Sequence, residues 1–271
     1  MKFTRVYAEI TNICALNCSF CPDRHEKPRV MDLALFEKIM RELKGKSKEI
    51  ALHVMGDPLL NKNLRAYLDI AAKFSHRVVL TTSGFYFDRH DKKTLFHETI
   101  LQINISLNSF NKNAEKMTLK EYLEPIFELI EHRSGIFINL RLLNGEKLFN
   151  AQIFDAICTR FGVKTDEKNI QIAPKVRLHF DELFCWPSLN APVSEDSKCY
   201  GLNRQIAILS NGKVTPCCFD YEAKVLLGDA NYESLSDILR RSSSIALGLK
   251  SGAPTEELCR RCTYRLRFKE F

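Results

Sequence analysis

Cys14-Ala15-Leu16-Asn17-Cys18-Ser19-Phe20-Cys21-Pro22 is a loop of three closely spaced thiols, set directly after a strand-like opening from Arg5 to Thr11. Three thiolates at this spacing hold three irons of a cubane [4Fe–4S] cluster, whereas full thiolate ligation takes four. The iron without protein sulfur is then open to a small molecule. A structural zinc site is the alternative reading. Such sites use four ligands and paired C-x2-C knuckles, and the next cysteine along the chain, Cys158, falls on the apolar face of a predicted helix.

Outward from this loop, the first half of the chain alternates strand-like and helix-like segments. Asp32 is placed to cap a helix whose apolar residues Leu35, Phe36, Ile39, Met40 and Leu43 recur at helical spacing. Ile50 to Met55 predicts a second strand, and Asn61 a cap for a helix carrying Leu64, Tyr67, Leu68 and Ala71. Arg77 to Thr81 predicts a third strand, rich in β-branched residues. A short helical stretch around Asp91 to Glu98 leads to a strand from Gln102 to Leu107. Thr118-Leu119-Lys120-Glu121 is a capping box opening a helix with Leu119, Tyr122, Leu123, Ile126 and Phe127 inward. Pro125 is expected to kink it.

Ile136 to Leu142 predicts a fifth strand. A helix over Phe149 to Phe161 carries Ile153, Phe154, Ile157 and Cys158 on its apolar face, with Gly162 suited to its C-cap. Ile170 to Ala173 predicts the sixth strand. Six β/α units mean a parallel sheet with right-handed crossovers, too few for a closed eight-stranded barrel. Ligands of such sheets gather at the C-terminal ends of the strands, where a loop following strand one lies. Pattern alone fits either a partial barrel or a doubly wound sheet. From Val176 onward cysteines, prolines and short strand-like runs replace long helices, which sets a boundary near residue 180 and two units, 1–180 and 181–271.

The 271 residues are long enough to bury a sizeable core, and 45% hydrophobic with 27% charged residues is ordinary globular composition. No apolar run approaches the ~20 residues of a membrane span, and Met1-Lys2-Phe3-Thr4-Arg5-Val6 lacks the apolar stretch of a signal peptide. A cytoplasmic protein is the expectation. Ten cysteines without a secretion signal argue for metal or redox chemistry rather than a disulfide framework. The net charge of +7 is spread among acidic residues. It forms no basic stripe, and no aromatic–basic interleaving suggests a nucleic-acid surface.

The cysteine spacing, with Phe20 before the last thiol, resembles the signature of the radical SAM superfamily. That resemblance selects the partial (β/α)6 TIM-like barrel. It implies that Cys14, Cys18 and Cys21 hold a [4Fe–4S] cluster whose open iron binds S-adenosylmethionine (SAM). Reductive cleavage would yield methionine and a 5′-deoxyadenosyl radical that abstracts a substrate hydrogen. Phe20 matches a position that packs beside the adenine. Met55-Gly56-Asp57-Pro58-Leu59 resembles the Gly-Gly-Glu-Pro element that binds the SAM amino group, so Gly56, Asp57 and Pro58 are implied at that site. Met replaces the first glycine and Asp the glutamate, and the shorter carboxylate weakens a direct contact from Asp57; a turn capped by Pro58 is the plain alternative.

Ser83, Ser106 and Asn108 end strands three and four, where the family often uses polar residues for the SAM ribose and carboxylate. The same hydroxyls also suit turn or helix capping. Arg141, on strand five, needs an anionic partner if it faces the barrel interior, and the SAM carboxylate or a substrate acid would serve. An outward, solvated arginine is the alternative. His53 could also point into the barrel; the plainer reading is a satisfied core histidine.

A second cysteine set follows: Cys199, a C-x12-G-x4-C interval to Cys217 through Gly212, then Cys259-Arg260-Arg261-Cys262. It resembles the SPASM extension, and more closely its shortened twitch form, which holds one auxiliary [4Fe–4S] cluster. Gly212 suits a tight hairpin through Ser210-Asn211-Gly212-Lys213. Adjacent Cys217 and Cys218 would face opposite sides of a strand, and the spacing favours Cys217. Cys185 is a spare thiol. Leu226 to Asp229 and Ser234 to Arg241 resemble the strand and amphipathic helix between the two cysteine pairs of that extension. A zinc held by Cys199, Cys217, Cys259 and Cys262 is the alternative for this half.

The resemblance implies a radical SAM enzyme, with oxidation or rearrangement of a small molecule as the expected outcome. Crosslinking or thioether formation in a ribosomal peptide is the alternative, and a non-catalytic metal-binding protein a third. The chain starts within its first strand, leaving no room for a fused leader-binding domain, which leans weakly toward the small molecule, although a separate recognition protein could supply that domain. A flavodoxin- or ferredoxin-type electron donor is the implied partner.

Overall fold

A computed structural model describes residues 2–23, 26–133, 135–144, 147–163 and 169–268. The elements are β1 (Phe3–Ala8), α1 (Leu33–Leu43), β2 (Ser47–Ala51), α2 (Leu64–Lys73), β3 (Arg77–Thr82), α3 (Lys92–Leu95) and β4 (Ile100–Ser106). There follow α4 (Leu119–His132), β5 (Phe137–Asn144), α5 (Lys147–Phe161), β6 (Asn169–Ala173), β7 (Val176–Glu182), β8 (Gln205–Ile208) and β9 (Lys213–Thr215). The chain closes with β10 (Gly228–Asp229), α6 (Leu235–Arg241), α7 (Ser243–Ser251) and α8 (Glu257–Arg260).

All ten strands join one sheet in the order β10-β9-β8-β1-β2-β3-β4-β5-β7-β6. β1 to β5 and β7 run parallel, which is the expected partial barrel, and β8 continues it in parallel on the far side of β1. β6, β9 and β10 pair antiparallel at the two edges.

The helical periodicity is borne out. Phe36, Ile39, Met40 and Leu43 of α1, Leu64, Tyr67, Leu68 and Ala71 of α2, and Tyr122, Leu123, Ile126 and Phe127 of α4 are all buried. Asp32 accepts from the Ala34 and Leu35 amides, and Thr118 with Glu121 closes a full capping box. α4 continues through Pro125. Gly162 adopts φ +65° and lets the Val163 amide reach back to the Cys158 carbonyl, the helix stop that the glycine suggested.

Three expectations are corrected. The sixth parallel strand is β7, not Ile170 to Ala173; that run is β6, folded back on β7 through a tight turn with Lys175 at φ +63°. Residue 180, where the composition changes, therefore lies inside β7. The second strand ends at Ala51, so His53 to Met55 belong to the loop at the ligand edge, drawn there because the Met55 amide donates to the Glu9 carboxylate at 3.0 Å. Asn61 caps a turn ahead of α2 rather than the helix itself, its side chain accepting from the Asn63 amide.

The same Glu9, 3% exposed, also accepts from the amide and hydroxyl of Ser210 at 3.0 and 2.8 Å. Ser210 belongs to the predicted β8–β9 hairpin, whose Gly212 takes φ +89°. One carboxylate thus joins the end of β1, the loop after β2 and the C-terminal hairpin. Outside the sheet, Lys38 of α1 donates to the Ala230 and Glu233 carbonyls, and Glu42 accepts from the first amide of α6. These contacts fix the C-terminal segment to the barrel.

Gly56 packs its backbone on the start of the cysteine loop: a Cβ there would stand 2.1 Å from the Thr11 carbonyl oxygen, and the next amide, Asp57, donates to the Ile13 carbonyl at 3.0 Å. Neither partner is a flexible side chain, so the clash cannot be relieved by a rotamer change. Gly56→Ala is expected to lower the unfolding free energy by ~1–3 kcal/mol, the usual cost of forced overpacking, read as a lower denaturant midpoint. An unchanged midpoint would contradict this packing.

Candidate functional site

At the C-terminal ends of β1 to β5 the loops surround a cavity of about 260 Å3. Cys14, Cys18 and Cys21 line it together, with Phe20, Gly56, Asp57, Ser83, Ser106, Asn108 and Arg141. Pro58 is buried beside it and opens a one-turn 3-10 helix, Pro58–Leu60. The sequence-predicted residues are therefore brought into one place, but several have protein partners already.

Asp57 is 3% exposed, and its carboxylate accepts from the Leu59 amide, the Thr82 hydroxyl, and both the amide and hydroxyl of Ser83. Burial pushes its carboxyl above the usual range, and those donors act against the rise. Asp57 thereby clamps the loop after β2 to the loop after β3. Asn108 donates to Asn150 and accepts from the Leu143 amide. Arg141 has found its anion within the chain: Nε and Nη2 both donate to one oxygen of Asp181, at 3.1 and 2.9 Å. His179 lies 3.3 Å from the same oxygen, and its hydrogen bond, with the Arg141 charge, holds Asp181 down to about 2. Arg141 therefore lines the cavity with an anion beside it, its side chain still 35% exposed.

His53 is not the satisfied core histidine expected. Its buried Nδ1 has no hydrogen-bond partner among the described residues, and its ring meets Tyr7 edge-on at 5.5 Å. Burial first, then the charges of Arg141 and Arg5, lower its pKa to about 3, so the imidazole on the cavity wall is neutral.

The cysteine loop is anchored at several points. Thr11 and Asn12 bond to the chain at Arg29, the Asn17 amide donates to Asn113 Oδ1 at 3.1 Å, and Trp186 Nε1 donates to the Phe20 carbonyl at 2.8 Å. Asn113 Nδ2 also stands 3.8 Å from Cys18 Sγ, the contact a sulfur ligand of a cluster takes from its surroundings. Glu9, Asn113, Asp181 and Trp186 escape a sequence reading because each acts across a long separation with no local motif.

The C-terminal segment adds Phe184, Trp186, Cys218, Phe219 and Tyr264 to the cavity wall, Trp186 touching the cysteine loop itself. The rings pack on one another, Phe219 against Tyr264 at 4.1 Å and Trp186 against Phe219 at 5.3 Å between centroids. Cys218 shares a hydrogen bond with Tyr7, and burial pushes its thiol up to about 12. Its neighbour Cys217 faces away into a second pocket, which Cys199, Cys259 and Cys262 line with it. The two thiols line different pockets as expected, but both lie past the end of β9, in a bend and turn rather than on a strand. Asp220 also lines this pocket, but its carboxylate takes the Lys224 and Val225 amides, leaving the thiols as the donor set. Cys185 is exposed and lines neither pocket.

Both sites fit the clusters that the sequence suggested. Three thiols share the larger cavity with a sulfur-directed amide, and four thiols share the smaller pocket. No helix among the described residues is long and apolar enough to cross a membrane.

Residues 8–148 match the radical SAM superfamily, and residues 199–263 match the SPASM iron–sulfur cluster-binding domain. The chain is 23% identical over 270 residues to the S-adenosyl-L-methionine-dependent 2-deoxy-scyllo-inosamine dehydrogenase of Niallia circulans, covering 96% of this chain and 92% of that one. Among solved structures, BtrN in complex with AdoMet and 2-DOIA superposes with a TM-score of 0.67 at 19% identity, covering 97% of this chain and 94% of its own. Streptococcus suis SuiB bound to precursor peptide SuiA gives a TM-score of 0.59 at 15% identity, with 100% and 74% covered. With more than half its length matched, the chain belongs to the radical SAM superfamily, as an oxidoreductase- or maturase-type enzyme that works with SAM and [4Fe–4S] clusters, one of them auxiliary in a C-terminal SPASM region.

Proposed function

We propose that the enzyme dehydrogenates a small polar molecule held in the cavity between two clusters, one on Cys14, Cys18 and Cys21 and the other on Cys199, Cys217, Cys259 and Cys262. When bound, SAM and the first cluster supply hydrogen-atom abstraction, and the auxiliary cluster supplies a sink for the remaining electron. The observation that carries this reading is the shared wall. Cys218 lines the larger cavity while the adjacent Cys217 lines the second pocket, so the two thiol sets lie on either side of one strand end.

The chain's own residues orient and enclose. Gly56 lets the loop after β2 approach the cysteine loop closely enough for its backbone to receive the SAM amino group. Pro58 fixes the direction of that loop, and Asp57 acts as its clamp rather than as a direct ligand. Phe20 offers a face to the adenine, with Ser83 and Ser106 at the rim. The aromatic residues Phe184, Trp186, Phe219 and Tyr264 keep water from a reactive intermediate. Arg141, held by Asp181, gives the substrate a fixed charge, and neutral His53 adds an uncharged ring to the cavity wall.

The small-molecule reading draws support from the enclosing aromatic wall, which the chain provides itself, and from near full-length similarity to a 2-deoxy-scyllo-inosamine dehydrogenase. The likeness to SuiB supports the fold that a peptide-modifying enzyme also uses. A flavodoxin- or ferredoxin-type protein is proposed as the electron donor.

Anaerobically reconstituted protein should hold about eight irons, as two [4Fe–4S] clusters require. Cys18→Ala should keep about half of them and lose reductive SAM cleavage; undiminished cleavage would remove the cysteine loop from its role. Incubation with deuterated candidates should move deuterium from a small polyol or amino alcohol into 5′-deoxyadenosine. Transfer from a peptide, with none from any small molecule, would overturn the substrate class.

A further inference from the structure

Arg265 is 1% exposed and ranks first by size among the fully buried side chains. A buried guanidinium is costly unless a counter-charge accompanies it. Other partly buried arginines meet that requirement within the chain: Arg5 pairs with Glu49, Arg141 with Asp181 and Arg261 with Glu257. Among the described residues Arg265 has no such carboxylate.

Its donors go to neutral groups instead. Nη1 donates to the Ser197 and Gly252 carbonyls at 2.7 and 3.3 Å, and Nη2 to the Ser194 hydroxyl and carbonyl at 3.0 and 3.4 Å. A guanidinium has five N–H donors, and the fifth, on Nε, is buried with no partner. The missing charge and the missing acceptor point the same way. Arg265 lines the pocket of Cys199, Cys217, Cys259 and Cys262, carried there by the 3-10 turn Thr263–Arg267 that follows Cys262. The nearby acid, Asp220, is committed to two backbone amides.

We propose that Arg265 is the resident counter-ion of the auxiliary cluster, its Nε–H directed at the cluster's sulfurs, and that it raises the cluster's reduction potential. This rests on the reading that those four cysteines hold the cluster. A cubane with four thiolates is anionic, and uptake of one electron makes it one unit more negative. A fixed positive charge in a low-dielectric wall favours that reduced form. Arg265 would thus make the auxiliary cluster a ready acceptor for the electron that a one-electron-oxidised substrate gives up as it loses a proton.

The test uses full-length protein carrying Cys14→Ala, Cys18→Ala and Cys21→Ala, so that auxiliary iron alone is observed, with R265Q and R265K made in that background. After anaerobic loading, the parent should hold about four irons. In an EPR-monitored redox titration, R265Q should show at least a tenfold lower reduced-to-oxidised ratio at fixed potential, about 59 mV for one electron, and R265K should recover most of it. An R265Q midpoint equal to the parent's would overturn the proposal and leave Arg265 a structural tie between residues 194, 197 and 252. Thermal unfolding with and without the cluster gives the second readout. R265Q should lose more stability loaded than cluster-free, and a variant that folds normally without the cluster yet takes up less iron agrees with the proposal. Equal loss in both forms overturns it. A parent that binds zinc, or no iron, is a separate result that overturns the cluster assignment itself.

Discussion

The carboxylate of Glu9 is the contact on which the arrangement depends. It sits buried at the end of the first strand and accepts from Met55 on one side and Ser210 on the other. A buried carboxylate stripped of donors is expensive, so its three hydrogen bonds oblige the loop after β2 and the C-terminal hairpin to meet at the edge where the cysteine loop begins. Burial raises the Glu9 carboxyl above its usual range, and the Ser210 and Met55 donors oppose that rise. With the hairpin fixed there, Cys218 is brought to the wall of the cavity and Cys217 to the second pocket.

Around that edge, buried acids and amides do structural work so that fewer groups face the ligand. Asp57, Asn108 and Asp181 each line or border the cavity, yet each is committed to a protein partner. The groups left without one are more informative. His53, on the wall of the larger cavity, keeps a buried ring nitrogen with no partner among the described residues, and Arg265, on the wall of the smaller pocket, keeps such an N–H. Since buried polar groups rarely go unpaired, Arg265 is the place proposed above to be completed by the bound cluster.

The loop from Cys14 to Cys21, the strand–helix alternation and the Gly212 hairpin were legible because each is written locally, in thiol spacing, apolar periodicity and a positive-φ turn. The β6–β7 hairpin was not, because the four-residue run Ile170 to Ala173 has no marker of direction and the change of composition at Val176 masked a strand that still belongs to the barrel. Arg141 was read as needing an anion, and the anion proved to be Asp181, two residues past its register partner His179 on the adjoining strand. Asp57 showed how a motif residue can be in place and still act on its own backbone. Glu9 and Arg265 carried no signal at all in the sequence: a lone acid in a strand and one basic residue among many become distinctive only once their burial is known.

The central claim is that one cavity lies between two iron–sulfur clusters held by two separate cysteine sets. Iron-edge anomalous diffraction from anaerobically grown crystals tests it directly. The account predicts two compact iron peaks, one bonded to Cys14, Cys18 and Cys21 with one iron open to the cavity, the other bonded to Cys199, Cys217, Cys259 and Cys262. A zinc peak at the second set, or iron absent from either, would contradict it.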